Sequence, residues 1–81
     1  MNEPTIEHQA AQQRFVLTQD NATALLEYQL DGLTINFYHT FVPSEFRGKG
    51  LAEQLVRHAI NWARTENYQL TASCSYVQRF I

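Results

Sequence analysis

Three side chains in this sequence have the type and setting to do chemistry: Cys74, His39 and Tyr76. Cys74 is the only cysteine and stands directly before Ser75-Tyr76-Val77-Gln78, whose Ser-x-x-Gln form is that of a capping box with Ser75 as N-cap. A helix starting there turns its positive end toward the sulfur, which can draw a thiol below its ordinary pKa of about 8.5 and make it a nucleophile. The competing reading is a free cysteine buried for packing beside Leu70 and Ala72. His39 falls in strand phase with Leu33, Ile35 and Phe37, where a hydrogen-bonded core histidine is commoner than a general base unless a bulge turns the strand near its end. Tyr76 can either deliver a phenolic proton or anchor the terminal helix to the core.

A second kind of chemistry is written in the backbone of Ser44-Glu45-Phe46-Arg47-Gly48-Lys49-Gly50-Leu51. Two glycines stand where a helix should begin, and no Ser, Thr, Asp or Asn after Ser44 can cap it. Glycine in a first helical turn costs about 1 kcal/mol against alanine, so the pair serves something other than helix propensity. An uncapped helix start leaves up to four N–H donors and a partial positive charge free to hold an external anion such as a pyrophosphate. Arg47 and Lys49 add charge. A Walker loop does not fit, because Gly50 and not Ser or Thr follows Lys49, and the dinucleotide fingerprint fails at Glu53. What fits is Arg-x-x-Gly-x-Ala at Arg47, Gly50 and Ala52. The plain alternative is a loop whose glycines serve only its geometry.

Composition narrows the function classes. Eighty-one residues make one domain with a narrow stability margin, and 44% apolar with 17% charged residues describes a globular chain. A net charge of −2 with only six scattered Lys and Arg argues against a nucleic-acid partner. One cysteine forms no internal disulfide, and the start of the chain lacks the form of a signal peptide, so the expectation is a cytoplasmic protein. No apolar run approaches the roughly 20 residues of a membrane span. His8, His39, His58 and Cys74 lack zinc-site spacing, so no metal is expected.

The elements that position these groups follow from periodicity. Residues 1–12 are polar and read either as partly disordered or as a short edge strand at Thr5–His8. Phe15 and Leu17 share a strand face, Gln19-Asp20-Asn21 supplies a turn, and Ala24, Leu26, Tyr28 and Leu30 alternate along the next strand. Asp31-Gly32 predicts a type I′ hairpin into a strand from Leu33 to about Val42, with Leu33, Ile35, Phe37, His39 and Phe41 in phase. From Leu51 the period becomes helical, fading near Asn67, with Leu51, Ala52, Leu55, Val56, Ala59, Ile60, Trp62 and Ala63 on one half. A strand over Gln69–Cys74 and a short terminal helix close the chain. A strand, helix, strand unit predicts a parallel pair with a right-handed crossover, whose carboxyl ends meet at the start of the helix. The fold class is therefore α/β (α+β), a mixed twisted sheet of four to five strands.

His39-Thr40-Phe41-Val42-Pro43, Arg47-Gly48-Lys49-Gly50-Leu51-Ala52 and Cys74-Ser75-Tyr76, in this order, resemble the small single-domain Gcn5-related N-acetyltransferases. The resemblance covers nearly the whole chain, residues 1–81 as one domain. It implies an acetyl-coenzyme A-dependent N-acyltransferase whose coenzyme pyrophosphate sits on Arg47, Gly48, Lys49, Gly50, Leu51 and Ala52, with the pantetheine arm pairing with Phe41 and Val42. It also implies Cys74 and His39 as the reactive pair, and transfer to an amine acceptor either directly or through an acetylated Cys74. In full-length members, helices before the central hairpins and strands after the last helix build the acceptor pocket, and the expectation for this sequence is that it has neither. The alternative is a non-catalytic module that binds acetyl-coenzyme A or a protein partner.

Overall fold

A computed structural model describes residues 3–81. Five strands, β1 (Thr5–Gln9), β2 (Arg14–Gln19), β3 (Ala22–Asp31), β4 (Thr34–Phe41) and β5 (Gln69–Ala72), form one sheet in the order β1-β2-β3-β4-β5. The first four pair antiparallel, and β5 returns parallel to β4 after the helix α1 (Leu51–Thr65). A one-turn helix, α2 (Ser75–Gln78), ends the chain. Thr5–Gln9 forms the edge strand of the sheet, and Met1 and Asn2 lie outside the described residues. No described helix is long and apolar enough to cross a membrane.

One face of the sheet carries Phe15, Leu17, Ala24, Leu26, Tyr28, Ile35 and Phe37, all buried, against Leu51, Leu55, Val56, Ala59, Ile60 and Ala63 of α1. Each fully buried Leu, Ile or Val contributes roughly 1.5–3 kcal/mol. The ion pair between Arg57 and Glu53 on the outer side of α1 is exposed and contributes at most about 0.5 kcal/mol. Packing of the apolar stripe, and not surface charge, therefore fixes α1 on the sheet. The helix ends in a Schellman motif: Asn67 takes φ 64°, its N–H donates to Arg64 O, and Tyr68 N–H donates to Ala63 O. The end at Thr65, two residues short of the expected Asn67, is set by that left-handed residue.

The two tight turns differ in type. Asp20 and Asn21 both have positive φ, as a type I′ turn requires, and both residue types tolerate it. At the next hairpin Asp31 still pairs with Thr34, so Gly32 and Leu33 form the turn. Only Gly32 has positive φ there, which is the type II′ pattern and corrects the expected type I′. The strand after it is correspondingly shorter, Thr34–Phe41 in place of Leu33–Val42, and β5 stops at Ala72 in place of Cys74.

His8 is held beside the core at the end of β1. Its ring stacks on Phe15 at 4.0 Å, meets the Trp62 ring edge-on at 4.4 Å, and its Nε2 lies 2.6 Å from the Tyr28 hydroxyl. Burial lowers the His8 pKa from its ordinary value, and His58 lowers it further by charge repulsion. A histidine with a depressed folded-state pKa stays neutral in the native protein after the unfolded chain has begun to take up protons. Its contribution to stability is therefore present above about pH 6.5 and lost as the pH falls toward the depressed value. Urea unfolding should give lower stability at pH 5.5 than at pH 7.5, and His8→Phe should reduce that difference. An equal pH dependence in both proteins would refute the assignment.

Candidate functional site

The mouth of α1 is built from backbone. After a short 3-10 turn at Ser44–Phe46, anchored by the buried Phe46 ring, the chain turns through Arg47–Gly50 and enters the helix at Leu51. Gly48 and Gly50 lie at φ +73° and +70°, where an L side chain is strained. Gly50 is the N-cap, so neither glycine sits inside the first helical turn, and positive φ, not access alone, explains both. A Cβ on either would meet no atom within 4 Å, so both glycines face open space. The first helical bond runs from Gln54 N–H to Gly50 O, and Gly50 offers no side-chain cap. The N–H groups of Gly48, Gly50, Leu51, Ala52 and Glu53 thus have no partner among the described residues. Arg47 and Lys49 are exposed beside them. Such a cradle fits an anionic group by the chemistry of its donors.

The second component is the parting of β4 and β5. The two strands pair from Thr34↔Gln69 to Phe37↔Ala72 and no further. At that point Phe37 O accepts from both Ser73 N–H at 3.1 Å and Cys74 N–H at 3.2 Å. On the opposite face Asn36 fastens the same residue: Asn36 Nδ2 donates to Ser73 Oγ at 2.9 Å and Ser73 N–H donates to Asn36 Oδ1 at 3.1 Å. Strand β4 continues through Phe41, paired with β3 alone. Beyond Phe37 its other edge is unpaired among the described residues, leaving backbone groups that an extended amide ligand can join. Phe41 is exposed, and Val42 packs partly against the core.

The third is a register shift. Tyr28 faces Phe37 but Glu27 faces His39, so Tyr38 is an extra residue in β4, a β-bulge. Before it, Ile35 and Phe37 face the core; after it, Thr40 does, opposite the buried Leu26. His39 is turned to the face away from α1, exposed and opposite Glu27. The in-phase run Ile35, Phe37, His39, Phe41 is therefore corrected: its last two members lie on the opposite face. Thr40 takes the core-side position, and its Oγ1 lies 3.3 Å from Cys74 Sγ.

Cys74, half-buried, is itself the N-cap of α2, which corrects the expected Ser75 cap. The capping box does not close, because Gln78 Nε2 donates to Ala72 O instead. Burial pushes the Cys74 thiol up; the hydroxyl of Thr40 and the backbone N–H groups of Val77, Tyr76 and Thr40 pull it down and prevail, leaving it below its ordinary value. The Tyr76 and Val77 amides face the sulfur without closing a regular cap hydrogen bond, so their effect is that of oriented dipoles. Tyr76 is half-buried against Phe80, with the Arg79 guanidinium over its ring. Burial and then the Glu53 carboxylate raise its pKa, against a smaller opposing effect of Arg79.

Cys74, the free edge of β4 and the α1 mouth thus meet at one end of the sheet, with Tyr76 in the first turn beside the thiol. His39 shares the strand segment but not the face. Thr40, the residue that touches the sulfur, was missed as a candidate because Phe41 mimics a continued alternation; the out-of-phase aromatic Tyr38 is the one mark of the shift. A surface depression lined by Arg57, Ile60, Asn61, Arg64 and Phe80 shares no residue with this edge.

Comparison with known proteins gives a consistent result. Residues 14–81 match the family model described as GCN5-related N-acetyl-transferase. The chain is 30% identical to Protein NATD1 of Xenopus tropicalis over 80 residues, covering 94% of this chain and 72% of that protein. With Protein NATD1 of Homo sapiens the identity is 28%, over 94% of this chain and 70% of that protein. The NMR solution structure of a GCN5-like protein from Staphylococcus aureus superposes with a TM-score of 0.76 at 30% identity, covering 99% of this chain and 79% of that one. The splayed parallel pair, the glycine-framed helix mouth and these matches together make the chain a member of the GCN5-related N-acetyltransferase family.

Proposed function

We propose that the protein binds acetyl-coenzyme A and transfers its acetyl group to an amine, with the coenzyme diphosphate on the Arg47–Ala52 loop and the thioester near Cys74. The observation that supports this most directly is the contiguity of the two sets of unpaired backbone groups. The amides at the α1 mouth suit a diphosphate, and the free β4 edge next to it suits the amide-bearing arm that follows. Arg47 and Lys49 supply positive charge, and Phe41 and Val42 flank the arm. Family membership supports acyl transfer as the class of reaction.

Two routes fit the arrangement. In direct transfer the acceptor nitrogen attacks the thioester carbon, the carbon–sulfur bond breaks, the coenzyme leaves as the thiolate, and the surplus amine proton passes to a base or water. His39, on the open face of the sheet, is the candidate base for an amine arriving from that side. In the covalent route the Cys74 thiolate attacks first and the coenzyme thiolate leaves; the amine then attacks S-acetyl-Cys74, the Cys74 thiolate departs, and the surplus amine proton passes to a base or water. Tyr76, its hydroxyl without a hydrogen-bond partner among the described residues, is the candidate proton donor to a departing thiolate. A thiol that must stay reduced suits a reducing compartment, so the reading places the protein in the cytoplasm.

Titration with acetyl-coenzyme A should shift the amide resonances of Gly48 and Gly50–Glu53, and inorganic sulfate at the same concentration should not match it. No preference for the coenzyme over sulfate removes the reading. Intact-mass measurement after incubation should show one acetyl adduct on Cys74, discharged by added amines, if the covalent route operates. Acetylated amine with an unmodified thiol indicates direct transfer, and binding with neither indicates the non-catalytic module.

Gly50→Ala places a Cβ at φ +70° in open space, so strain is its only steric consequence, and it should cost about 1–2 kcal/mol of stability. Because the added methyl projects toward the proposed diphosphate, coenzyme affinity should fall by more than ten-fold at a temperature where the variant is fully folded. Unchanged affinity in a destabilised but folded variant would mean that the glycines serve geometry alone.

A further inference from the structure

We propose that Thr40 is a positioning residue for Cys74, its hydroxyl directed at the sulfur by the bulge at Tyr38 so that the thiol is held as a hydrogen-bonded nucleophile at the end of the cleft. The inference rests on the reading of this edge as an acyl-donor site. It gives the sulfur a partner that does not depend on His39.

Several constraints converge on this pair. The bulge inserts Tyr38 and rotates the rest of β4, so that Thr40 stands opposite the buried Leu26 and on the same face as the core. Without the extra residue the side chain at that position would point to the open face, since strand side chains alternate. Thr40 is β-branched and stiff at χ1, which fixes the direction of Oγ1 at little entropic cost. Cys74 is fixed from its own side: its N–H donates to Phe37 O at 3.2 Å and its C=O accepts from Gln78 N–H at 3.1 Å. The 3.3 Å separation between Oγ1 and Sγ is therefore set by two anchored backbones.

The hydroxyl suits both states of the sulfur. A neutral thiol donates its S–H to Thr40 Oγ1; a thiolate accepts the Thr40 O–H after a rotation of that hydroxyl. Ionisable groups near the sulfur come from α2 and α1. They are Tyr76 on α2, Arg79 directly after it and Glu53 on α1, the last two acting on Tyr76. None forms an ion pair with Cys74, strand β5 contributes no ionisable side chain, and the histidine of β4 faces the other way. Hydrogen-bond donors, not a neighbouring base, hold the charge, and the downward displacement of the thiol with Thr40 first among its lowering causes agrees.

The test is the pH profile of Cys74 alkylation by iodoacetamide in the full chain, followed by intact mass, in the wild type, Thr40→Val, Thr40→Ser and His39→Ala. Thr40→Val keeps the shape and removes the hydroxyl, and should raise the midpoint by about half a pH unit, a roughly three-fold smaller thiolate fraction well below the midpoint. Thr40→Ser should restore the wild-type midpoint. The proposal is overturned if Thr40→Val changes only the plateau rate, or if His39→Ala moves the midpoint more than Thr40→Val does. Should Thr40→Val not fold, the 13Cβ shift of Cys74 titrated in Thr40→Ser and Thr40→Ala decides: only the alanine variant should titrate higher, and equal midpoints refute the role. Acetyl-coenzyme A titration of the wild type is read separately. A wild type that ignores the coenzyme defeats the acyl-donor reading while the alkylation profile still reports on Thr40.

Discussion

Everything at the candidate site depends on where β4 and β5 stop pairing. A parallel pair that zipped to its end would consume the backbone groups of Tyr38–Phe41 and bring the sheet edge level with the helix mouth. Instead Phe37 O accepts two successive amides, Ser73 and Cys74, and the Asn36 carboxamide locks Ser73 from the other face. A carbonyl has two lone pairs, so both bonds can form, but the second diverts β5 out of the ladder. Each neutral hydrogen bond of this kind contributes only about 0.5–1.5 kcal/mol net. Their number at one point, together with the one-turn helix that follows immediately, is what keeps the strands apart.

The bulge at Tyr38 does complementary work on the other strand. It leaves Tyr38 exposed, yet it decides which side chain meets the thiol. Burial is the same on either side of it: Ile35 and Phe37 before the shift, and Leu26 opposite Thr40 after it, are all fully buried. Stability and site geometry are therefore separately encoded. The apolar stripe of α1 fixes the fold, while a single inserted residue and one carboxamide clasp shape the edge. Much of that edge is main chain, which constrains side-chain identity at few positions.

This separation explains what could be read in the sequence. The helical stripe of α1, the alternation in β2 and β3, the hairpins and the parallel return all follow from apolar periodicity, and burial of those residues enforces the pattern. The glycines at 48 and 50 also announce themselves, since few other residues reach positive φ cheaply. What periodicity cannot see is a change of phase without a change of composition. Phe41 continues the alternation of Ile35 and Phe37, so a bulge near the strand end stands only as the alternative for His39, and neither its position nor the exchange of His39 for Thr40 can be read. The Ser-x-x-Gln motif misled for a related reason: Gln78 found Ala72 O, a partner brought close only by the tertiary course of β5. Turn types were similarly decided by the register of the flanking strands.

The distribution of polar groups over the two faces bears on how transfer would proceed. Thr40, Cys74 and the start of α2 lie on the helix side of the sheet, whereas His39 and Glu27 lie on the open side. A carbonyl carbon held in the opening between β4 and β5 is accessible from both. An incoming amine and the thiol would then approach it from opposite directions, so the histidine and the cysteine are not a coupled base and nucleophile of the kind in which one takes the other's proton across a hydrogen bond. If the thiol acts, its ionisation has to be supported by its own donors; if the amine acts directly, the thiol is a wall of the cavity and its hydrogen bonds merely keep it in place. The two routes share one binding geometry and differ in which face the chemistry enters, and it is the single extra residue in β4 that separates those faces.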